Sequence, residues 1–300
     1  MNVLVSGATG LIGSALSEEL IGGGHGVTCL TRSPESPTDI RWDPFSGTID
    51  GTLEGHDAVV HLAGETIFSG PTDRWTPSKK EGIMESRRKG TRLLAETIAG
   101  LPEPPRVLVS ASGINYYGDD HADEVLREDS APGSDFLAEV CKVWEASADP
   151  AREAGIRVVN TRFGLVLSPR GGALGTTLPI FKLGGGGRIG SGRQWWSWIA
   201  LDDVVGAIVR VMQDESVEGG VNVGSPNPVT NADYTKVLGK VLNRPTFFAV
   251  PAPALRVAFG EVADALLLAS LRVEPAKLEQ TGYEFRYPGL EGALRHLLGR

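Results

Sequence analysis

The chain has 300 residues, of which 41% are hydrophobic and 22% are charged, and its 29 basic and 37 acidic residues give a formal net charge of −8. These values are typical of a globular protein and exclude a disordered chain, a coiled coil and a collagen-like repeat. The negative charge offers no general attraction to nucleic acid or to an anionic membrane. We therefore expect neither as a partner, and any site for an anion has to be local.

The cysteines, the histidines and the N-terminal segment set expectations for compartment and metal chemistry. Cys29 and Cys141 both lie inside apolar runs, so we expect no disulfide framework and a reducing compartment. The histidines are scattered, and no pair of His or Cys has zinc spacing, so we expect no metal site. No basic segment precedes an apolar run at the start, and no apolar run reaches the ~18 residues of a membrane span. These features predict a cytoplasmic protein.

The first half of the chain alternates strand-like and helix-like segments. Short β-rich runs occupy residues 2–6, 27–31, 58–62, 106–110 and 157–162, and helical patterns occupy residues 11–22, 77–98 and 136–152. Such alternation implies right-handed crossovers and a parallel sheet covered on both faces. We predict an α/β fold with a doubly wound parallel Rossmann sheet.

The second half has a looser pattern, which predicts a smaller C-terminal lobe on the substrate side. A glycine-rich and tryptophan-rich stretch is followed by helical patterns at 202–213, 232–242, 253–271 and 290–298 and by a short strand at 221–223. We assign residues 1–165 to the domain built on the Rossmann sheet, with 200–224 returning to it. Residues 166–199 and 225–300 are assigned to the substrate-side lobe.

A glycine turn separates the first predicted strand from the first predicted helix. Gly7 permits a tight turn, Gly10 lets the backbone approach a pyrophosphate, and Gly13 lets the helix pack closely on the strand. A plain strand–helix turn is the alternative, but the strand–turn–helix context is the one that dinucleotide binding requires. We expect the loop residues Thr9, Leu11 and Ile12 to contact the cofactor together with the three glycines.

The end of the second predicted strand selects between the two nicotinamide cofactors. An NAD-binding chain carries a carboxylate about 20 positions after the glycines, whereas this chain has Thr31, Arg32 and Ser33. A guanidinium and two hydroxyls suit a 2′-phosphate through charge-assisted hydrogen bonds. A solvated surface arginine is the alternative, and we predict NADP(H) as the cofactor.

Several motifs together resemble a known family, the extended short-chain dehydrogenase/reductases. They are GATGLIG at 7–13, HLAG at 61–64, SAS at 110–112 and YG at 117–118. More narrowly, RFGLVL at 162–167 and GSGRQ at 190–194 are similar to the atypical branch of SDR39U1-like epimerase family proteins. That branch belongs to the NAD-dependent epimerase/dehydratase family and has a C-terminal region of the DUF1731 type.

The resemblance implies further cofactor contacts, each with a simpler alternative. Asp43 is placed near the adenine, although an Asp before Pro is equally a turn residue. Arg87 is placed on the cofactor side of the long helix, with a solvated arginine as the alternative. Glu65 is either a carboxylate base or a surface or ribose-binding residue. The remaining implied cofactor contacts are Leu62, Ala63, Gly64, Ser110, Arg162, Phe163 and Gly164.

The chain departs from the resembled enzymes at their catalytic Tyr-x-x-x-Lys pair. Helical spacing of four puts those two groups on one face, where the lysine lowers the pKa of the phenol and anchors the nicotinamide ribose. Lys142 matches the lysine, and Ala138 stands where the tyrosine is expected. We therefore predict a role for Lys142 as a ribose anchor without an adjacent general acid.

Ser112 is the strongest candidate for a polar group facing the substrate. It is expected at the carboxyl end of a central strand, where open α/β sheets bind ligands. Tyr117, Glu65 and Cys141 are possible replacements for the missing tyrosine, but packing or surface roles explain each of them better. Ser112 and Lys142 are accordingly the predicted catalytic residues.

The segment 184–198 combines glycines, arginines and tryptophans. Such a segment forms either a lid or pocket wall or a buried connection whose tryptophans join the core. In the resembled epimerases this region lines the substrate site. We therefore predict a substrate pocket formed by Ser112, Tyr117, Arg188, Arg193, Trp195 and Trp196.

The sequence is compatible with three functions. The leading one is an NADP(H)-dependent oxidoreductase or epimerase-like enzyme with a small-molecule substrate. A catalytically weakened NADPH-binding sensor or regulator, in one version linked to cell division, is the second. A nucleotide-sugar epimerase is the third and is disfavoured by the absent tyrosine. The oligomeric state stays open between monomer and homodimer.

Overall fold

A computed structural model describes residues 1–68, 70 and 74–300. The strands are β1 (Asn2–Ser6), β2 (Gly26–Thr31), β3 (Ile40–Asp43), β4 (Thr48–Asp50), β5 (Ala58–His61), β6 (Val107–Gly113), β7 (Asp120–Leu126), β8 (Arg157–Phe163), β9 (Leu165–Leu167), β10 (Gly187–Ile189), β11 (Trp195–Trp196), β12 (Trp198–Ala200), β13 (Gly219–Val223), β14 (Val229–Thr230), β15 (Phe248–Val250) and β16 (Ser270–Val273). The helices are α1 (Leu11–Gly22), α2 (Pro77–Ala99), α3 (Phe136–Ala146), α4 (Asp149–Glu153), α5 (Gly172–Lys182), α6 (Leu201–Gln213), α7 (Asn231–Leu242), α8 (Ala252–Phe259), α9 (Ala276–Gln280) and α10 (Leu290–Leu297). A 3-10 turn covers Ile114–Tyr117, and a π-helical turn covers Ala263–Leu267.

The central sheet has eight strands in the order β13-β8-β6-β5-β1-β2-β3-β4. All neighbours pair in parallel except β3 and β4, which are antiparallel. The strand order runs outward from β1 in both directions, so the crevice between β1 and β5 is a topological switch point. The predicted doubly wound parallel sheet is confirmed.

Alternation along the strands fills two hydrophobic layers, one on each face of the sheet. Val3 and Val5 pack with the residues of α1 and α6, whereas Leu4 packs with the residues of α2 and α4. Successive side chains of a strand point to opposite faces, so a continuous apolar run is what a strand covered on both sides requires.

Two predicted helices are broken in the structure. The helix expected at 136–152 divides into α3 and α4, because Pro150 in the first turn of α4 cannot continue the hydrogen bonding of α3. The helix expected at 253–271 divides into α8, the π-helical turn and β16, with Gly260 at φ +61° after α8. β16 pairs in parallel with β7, a strand that carries no apolar alternation and was not predicted.

The remaining short strands pair outside the central sheet. β9 pairs with β12, β10 with β15, and β11 with β14. β9 and β12, with partly buried residues of β11 and β14, form a third apolar layer with α5, α7 and α10. In the described ranges 1–68, 70 and 74–300, no helix is both long and apolar enough to cross a bilayer.

Candidate functional site

The turn between β1 and α1 has glycine at the two positions where a Cβ atom would clash with neighbouring backbone, Gly7 and Gly13. Gly7 has φ +72°, and a Cβ there would lie 2.9 Å from Ala63 N. A Cβ on Gly13 would lie 2.1 Å from the carbonyl oxygen of Gly7. Gly10 closes the turn by donating its N–H to that same carbonyl at 3.0 Å. The bare backbone and the start of α1 fit a dinucleotide pyrophosphate.

A cleft of about 360 Å³ extends from this turn along the carboxyl edge of the sheet. Its first end is lined by Gly7, Gly10, Leu11, Ile12 and Gly13, and Thr9 is an exposed residue of the same turn. The other end is lined by residues that follow β5, β6 and β8 and by one face of α3. They include Leu62, Arg87, Ser112, Asn115, Leu137, Val140, Cys141, Trp144, Phe163 and Val166.

The end of β2 lies beside the glycine turn because Leu30 pairs with Ser6. Thr31 is half-buried, and Arg32 and Ser33 are exposed. Asp43 is a turn residue, since its carboxylate accepts the N–H of Phe45 at 2.9 Å. That hydrogen bond, a second from Ser46 and, to a smaller extent, the charge of Arg32 lower the pKa of Asp43. Arg32 forms no ion pair with any described residue, so its guanidinium is available to a phosphate.

The segment after β5 meets α2 through the backbone. Leu62 lines the cleft, and a Cβ on Gly64 would lie 3.2 Å from the guanidinium carbon of Arg87. The Glu65 backbone N–H donates to Ser86 Oγ at 3.0 Å, and its carboxylate pairs with Lys79 at 3.0 Å. Glu65 is therefore held toward the outside of α2, while Ala63 and Gly64 bring the backbone against Arg87.

Arg87 carries a buried positive charge into the cleft. Its residue is 6% exposed, and its Nη1 donates to the carbonyl oxygens of Glu65 and Ile83 at 3.0 and 3.1 Å. The guanidinium lies 4.6 Å from the centre of the Trp144 ring, and its Nε has no protein partner. Burial lowers the pKa of Arg87 to about 10. Within the described residues, no carboxylate forms an ion pair with it.

Ser112, at the carboxyl end of β6, joins a network with α3 and β8. Its Oγ donates to Glu145 Oε1 at 2.8 Å. Arg162 clamps the same carboxylate, with Nε on Oε1 at 2.8 Å and Nη2 on Oε2 at 2.9 Å. Burial lowers the pKa of Arg162, but the hydrogen bonds and charge of Glu145 outweigh burial and the net direction is upward. The two hydrogen bonds from Arg162 therefore fix the orientation of the Glu145 carboxylate.

Two tyrosines support Arg162 from below the network. The guanidinium lies 3.4 Å from the centre of the Tyr116 ring, and Nη1 donates to Tyr117 Oη at 3.0 Å. Tyr117 in turn donates to Asn222 Oδ1 at 2.8 Å and has no exposed surface. Burial raises the pKa of Tyr117 to about 12. Tyr117 is a packing residue, and the prediction that it lines the pocket is corrected.

The structure also corrects the assignment of the predicted lysine. Lys142 pairs with Glu139 on the outer side of α3, and Ala138 is fully buried. Leu137 and Cys141 line the cleft at the same four-residue spacing. Consecutive helical residues are about 100° apart around the axis, so a one-residue shift moves the pair away from the cleft. Burial raises the pKa of Cys141 to about 11.

The glycine and tryptophan segment lies away from the cleft. Arg188 and Arg193 are exposed. Trp195 donates from Nε1 to Asp123 at 2.7 Å, and Trp196 packs on the Tyr234 ring at 5.1 Å between ring centres. The predicted substrate pocket of these four residues is therefore corrected, because their side chains contact β7, α7 or solvent instead of the cleft wall.

Three further predicted cofactor residues have separate placements. Phe163 lines the cleft. Gly164 permits close packing, since a Cβ there would lie 2.5 Å from the carbonyl oxygen of Ser197. Ser110 is fully buried, one row below Ser112 on β6, and its hydroxyl has no protein partner. Ser110 therefore does not reach the cleft.

Sequence reasoning missed the two α3 residues that shape the site most. Glu145 fixes the hydroxyl of Ser112, and Trp144 covers the guanidinium of Arg87. The helical spacing of 137, 141 and 144–145 was a usable signal, because those positions share one side of a helix. Within the described residues, no cluster of three His, Cys, Asp or Glu side chains is arranged for a metal ion.

The sheet order, the glycine turn and the cleft at the switch point define a dinucleotide-binding protein of the short-chain dehydrogenase/reductase class. The model of the NAD dependent epimerase/dehydratase family matches residues 3–224, and that of a domain of unknown function, DUF1731, matches residues 250–297. The chain belongs to the NAD-dependent epimerase/dehydratase family. The predicted family and its SDR39U1-like branch are confirmed.

Similar proteins from distant organisms match over nearly the whole chain. The human epimerase family protein SDR39U1 is 37% identical over 299 residues, covering 99% of this chain and 100% of the human one. An epimerase family protein of Mycobacterium bovis is 39% identical over 300 residues, covering 99% and 98%. The crystal structure of human SDR39U1 (isoform 2) with NADPH has a TM-score of 0.91 at 36% identity, covering 100% and 99%.

Proposed function

We propose that this chain is an NADP(H)-dependent oxidoreductase whose proton-transfer group is the Ser112–Glu145 pair. The supporting observation is the hydrogen bond of 2.8 Å from Ser112 Oγ to Glu145 Oε1 at the wall of the cleft. The glycine turn would hold the pyrophosphate, Arg32 with Thr31 and Ser33 would receive the 2′-phosphate, and the buried guanidinium of Arg87 would donate hydrogen bonds to oxygen atoms of the cofactor. When bound, NADP(H) supplies or accepts the hydride.

The pair moves a proton along a short path. In the oxidative direction the substrate hydroxyl gives its proton to Ser112 Oγ, while the hydroxyl proton of Ser112 passes to Glu145. In the reductive direction both transfers reverse, and a substrate carbonyl oxygen receives the proton. Arg162 keeps the carboxylate pointed at Ser112 throughout, which preserves the geometry that general acid–base catalysis requires.

The substrate class follows from the lining of the cleft. Leu137, Val140, Phe163 and Val166 make the inner part apolar, and Ser112 is the hydroxyl among them. An apolar pocket with few polar groups selects a compact molecule with a single reacting oxygen. We assign a small, largely apolar carbonyl or carbinol compound as the substrate.

A second candidate is an NADPH-binding regulator that does not turn over a substrate. One observation favours it: none of the described residues that line the cleft is Tyr or Lys, and the positions at the expected spacing are Leu137 and Cys141. Under this alternative the Ser112–Glu145 pair is a structural support for β6 and α3.

A substrate screen that follows NADPH absorbance, with co-purified ligands identified by mass spectrometry, separates the two candidates. Once a substrate is found, Glu145→Gln should lower turnover by ~10²–10⁴-fold, as expected for loss of a general acid–base group. Ser112→Ala should have a similar effect, and NADPH affinity should be little changed in both. Glu139→Gln is the matched control, because Glu139 lies on the outer side of the same helix. NADPH binding without turnover of any compound would favour the regulator.

A further inference from the structure

The charges of this acidic protein are unevenly distributed. Residues 171–201 and 234–260 contain no Asp or Glu, although the whole chain has an excess of acidic residues. The two stretches lie side by side, since β10 pairs with β15 and Arg244 Nε donates to the carbonyl oxygen of Lys182 at 2.7 Å. The two neighbouring stretches thus contribute cations and no carboxylate of their own to the surface of an acidic chain.

Five exposed cations on these stretches have no acidic partner. In the part of the chain that the structure describes, no carboxylate forms an ion pair with Lys182, Arg188, Arg193, Lys236 or Arg244. The other two cations of the stretches are paired, Lys240 with Glu291 and Arg256 with Asp264. The five unpaired cations therefore leave a local positive potential.

Large apolar side chains project between these cations. Phe247 is 91% exposed, Leu183 89%, Phe248 61% and Ile180 55%. Phe247 and Phe248 share a shallow groove with Arg188 and Lys236. Of the nine large apolar side chains that the described residues expose, six lie in the two stretches. An exposed apolar patch with a charged rim marks an interaction surface.

We propose that this basic apolar face, made of Ile180, Lys182, Leu183, Arg188, Lys236, Arg244, Phe247 and Phe248, docks reversibly on an anionic lipid surface. Aromatic and aliphatic side chains enter the region between headgroups and acyl chains, while lysine and arginine contact anionic headgroups. None of these eight residues lines the cleft, so the docking proposal does not depend on the proposed reaction.

Two other occupants fit the face less well. A second copy of this chain would bring like cations together, because a twofold interface places the same patch on both subunits. A nucleic acid would contact the cations, but its polar backbone gives no place to bury the side chains of Leu183 and Ile180. A lipid interface accepts both kinds of side chain without requiring a matching shape.

Vesicle co-sedimentation of the full chain tests the proposal. We expect binding to vesicles of phosphatidylcholine with phosphatidylserine, about tenfold or more weaker binding to phosphatidylcholine alone, and loss of binding as salt is raised. The double variants F247S/F248S and K236E/R244E should each reduce binding to the level of neutral vesicles. Ile21→Ser and Arg92→Ala are matched controls, because they remove an exposed apolar side chain from α1 and a cation from α2, outside the face. Ile21 is 62% exposed. Both variants should bind vesicles as the parent does.

NADPH titration of every variant accompanies the vesicle assay. Unchanged NADPH affinity in the face variants shows that they are folded and separates this proposal from that for the cleft. Absence of binding to anionic vesicles at low salt would overturn the docking proposal. Poly-glutamate and DNA test the cations alone, because these polyanions have no apolar region. The proposal would also be overturned if either polymer bound as tightly as the vesicles and, in addition, the F247S/F248S variant still bound vesicles as the parent does.

Discussion

At the scale of single residues, Arg87 supplies a buried positive charge to the wall of the cleft. Taking a guanidinium out of water is costly, and protein carbonyl oxygens satisfy only part of its donor capacity. Its residue is 6% exposed, and Trp144 covers one of its faces. A ligand with oxygen acceptors would complete the hydrogen bonding. In this interpretation α2 supplies the positive charge that the resembled enzymes carry on the helix corresponding to α3.

Replacing Arg87 tests this interpretation. Arg87→Met should weaken NADPH binding by ~1.5–3 kcal/mol, the range for hydrogen bonds to charged groups. Adding Cys141→Lys should restore part of the affinity, because Cys141 lines the same cleft and an ammonium there replaces the lost charge. Fluorescence titration with NADPH measures both effects.

Lys142→Ala is the control for that series. Because Lys142 pairs with Glu139 outside the cleft, its removal should leave NADPH affinity nearly unchanged. A large loss of affinity in Lys142→Ala, with none in Arg87→Met, would show that α3 presents a different face to the cofactor.

At the scale of elements, α3 sets the geometry of the site. One side of this helix brings Leu137, Cys141 and Glu145 to the cleft or its network, and the other side carries the pair of Glu139 and Lys142. The rotation of the helix about its axis therefore decides which chemistry reaches the cofactor. Its first turn is held by Asp135, whose Oδ1 accepts the N–H groups of Leu137 and Ala138 at 2.9 and 3.0 Å.

Removal of this cap should destabilise the fold. Asp135→Ala should lower the free energy of unfolding by ~1 kcal/mol, since an N-cap acceptor is lost. Asp135→Asn keeps the acceptor and should retain most of the stability. Urea denaturation of the three proteins measures the difference. Equal stability of the Ala and Asn variants would show that the cap contributes nothing to α3.

At the scale of the whole molecule, a buried polar row crosses the sheet below α2. Ser6, His61, Ser110 and Asn160 are register neighbours on β1, β5, β6 and β8. His61 is fully buried, and its Nδ1 is 2.6 Å from Ser6 Oγ. Burial, with a contribution from the charge of Arg87, lowers the pKa of His61 to about 4. The native state therefore holds a neutral imidazole in the centre of its sheet.

This buried imidazole makes global stability depend on pH. The unfolded chain binds a proton at His61 below its ordinary pKa of 6.5, whereas the folded chain does so only near 4, so stability is lost as pH falls through that window. The loss should be on the order of 2 kcal/mol between pH values near 7 and near 5, from ~1.4 kcal/mol per pH unit.

His61→Phe isolates this contribution. The variant keeps a ring against Trp42, whose edge contact with His61 has a centre distance of 5.8 Å, and it does not titrate. The free energy of unfolding of the parent minus that of the variant should fall by about 2 kcal/mol as pH is lowered from 7 toward 5. A difference that stays constant with pH would show that the folded protein binds a proton at His61 as readily as the unfolded chain does, so that folding does not lower its pKa.

Features that depend on neighbours in the chain were predictable. Gly7, Gly10 and Gly13 act through the geometry of one turn, and Arg32 follows the end of a strand whose alternation identifies it. The fold class follows from the order of strands and helices, because right-handed crossovers leave few topologies. Pro150 and Gly260 mark the breaks inside two predicted helices, but the apolar periodicity around them concealed both.

The arrangement of the candidate site was decided only by tertiary structure. Glu145 and Arg162 are 17 residues apart, and Ser112 is 33 residues from Glu145, yet one carboxylate joins all three. From the sequence alone, either Cys141 or Lys142 could face the cleft. The packing of α3 on its neighbours places Cys141 there. Backbone turns are set by local sterics, whereas the inward face of a helix is set by the total burial of its apolar side, which only the folded chain determines.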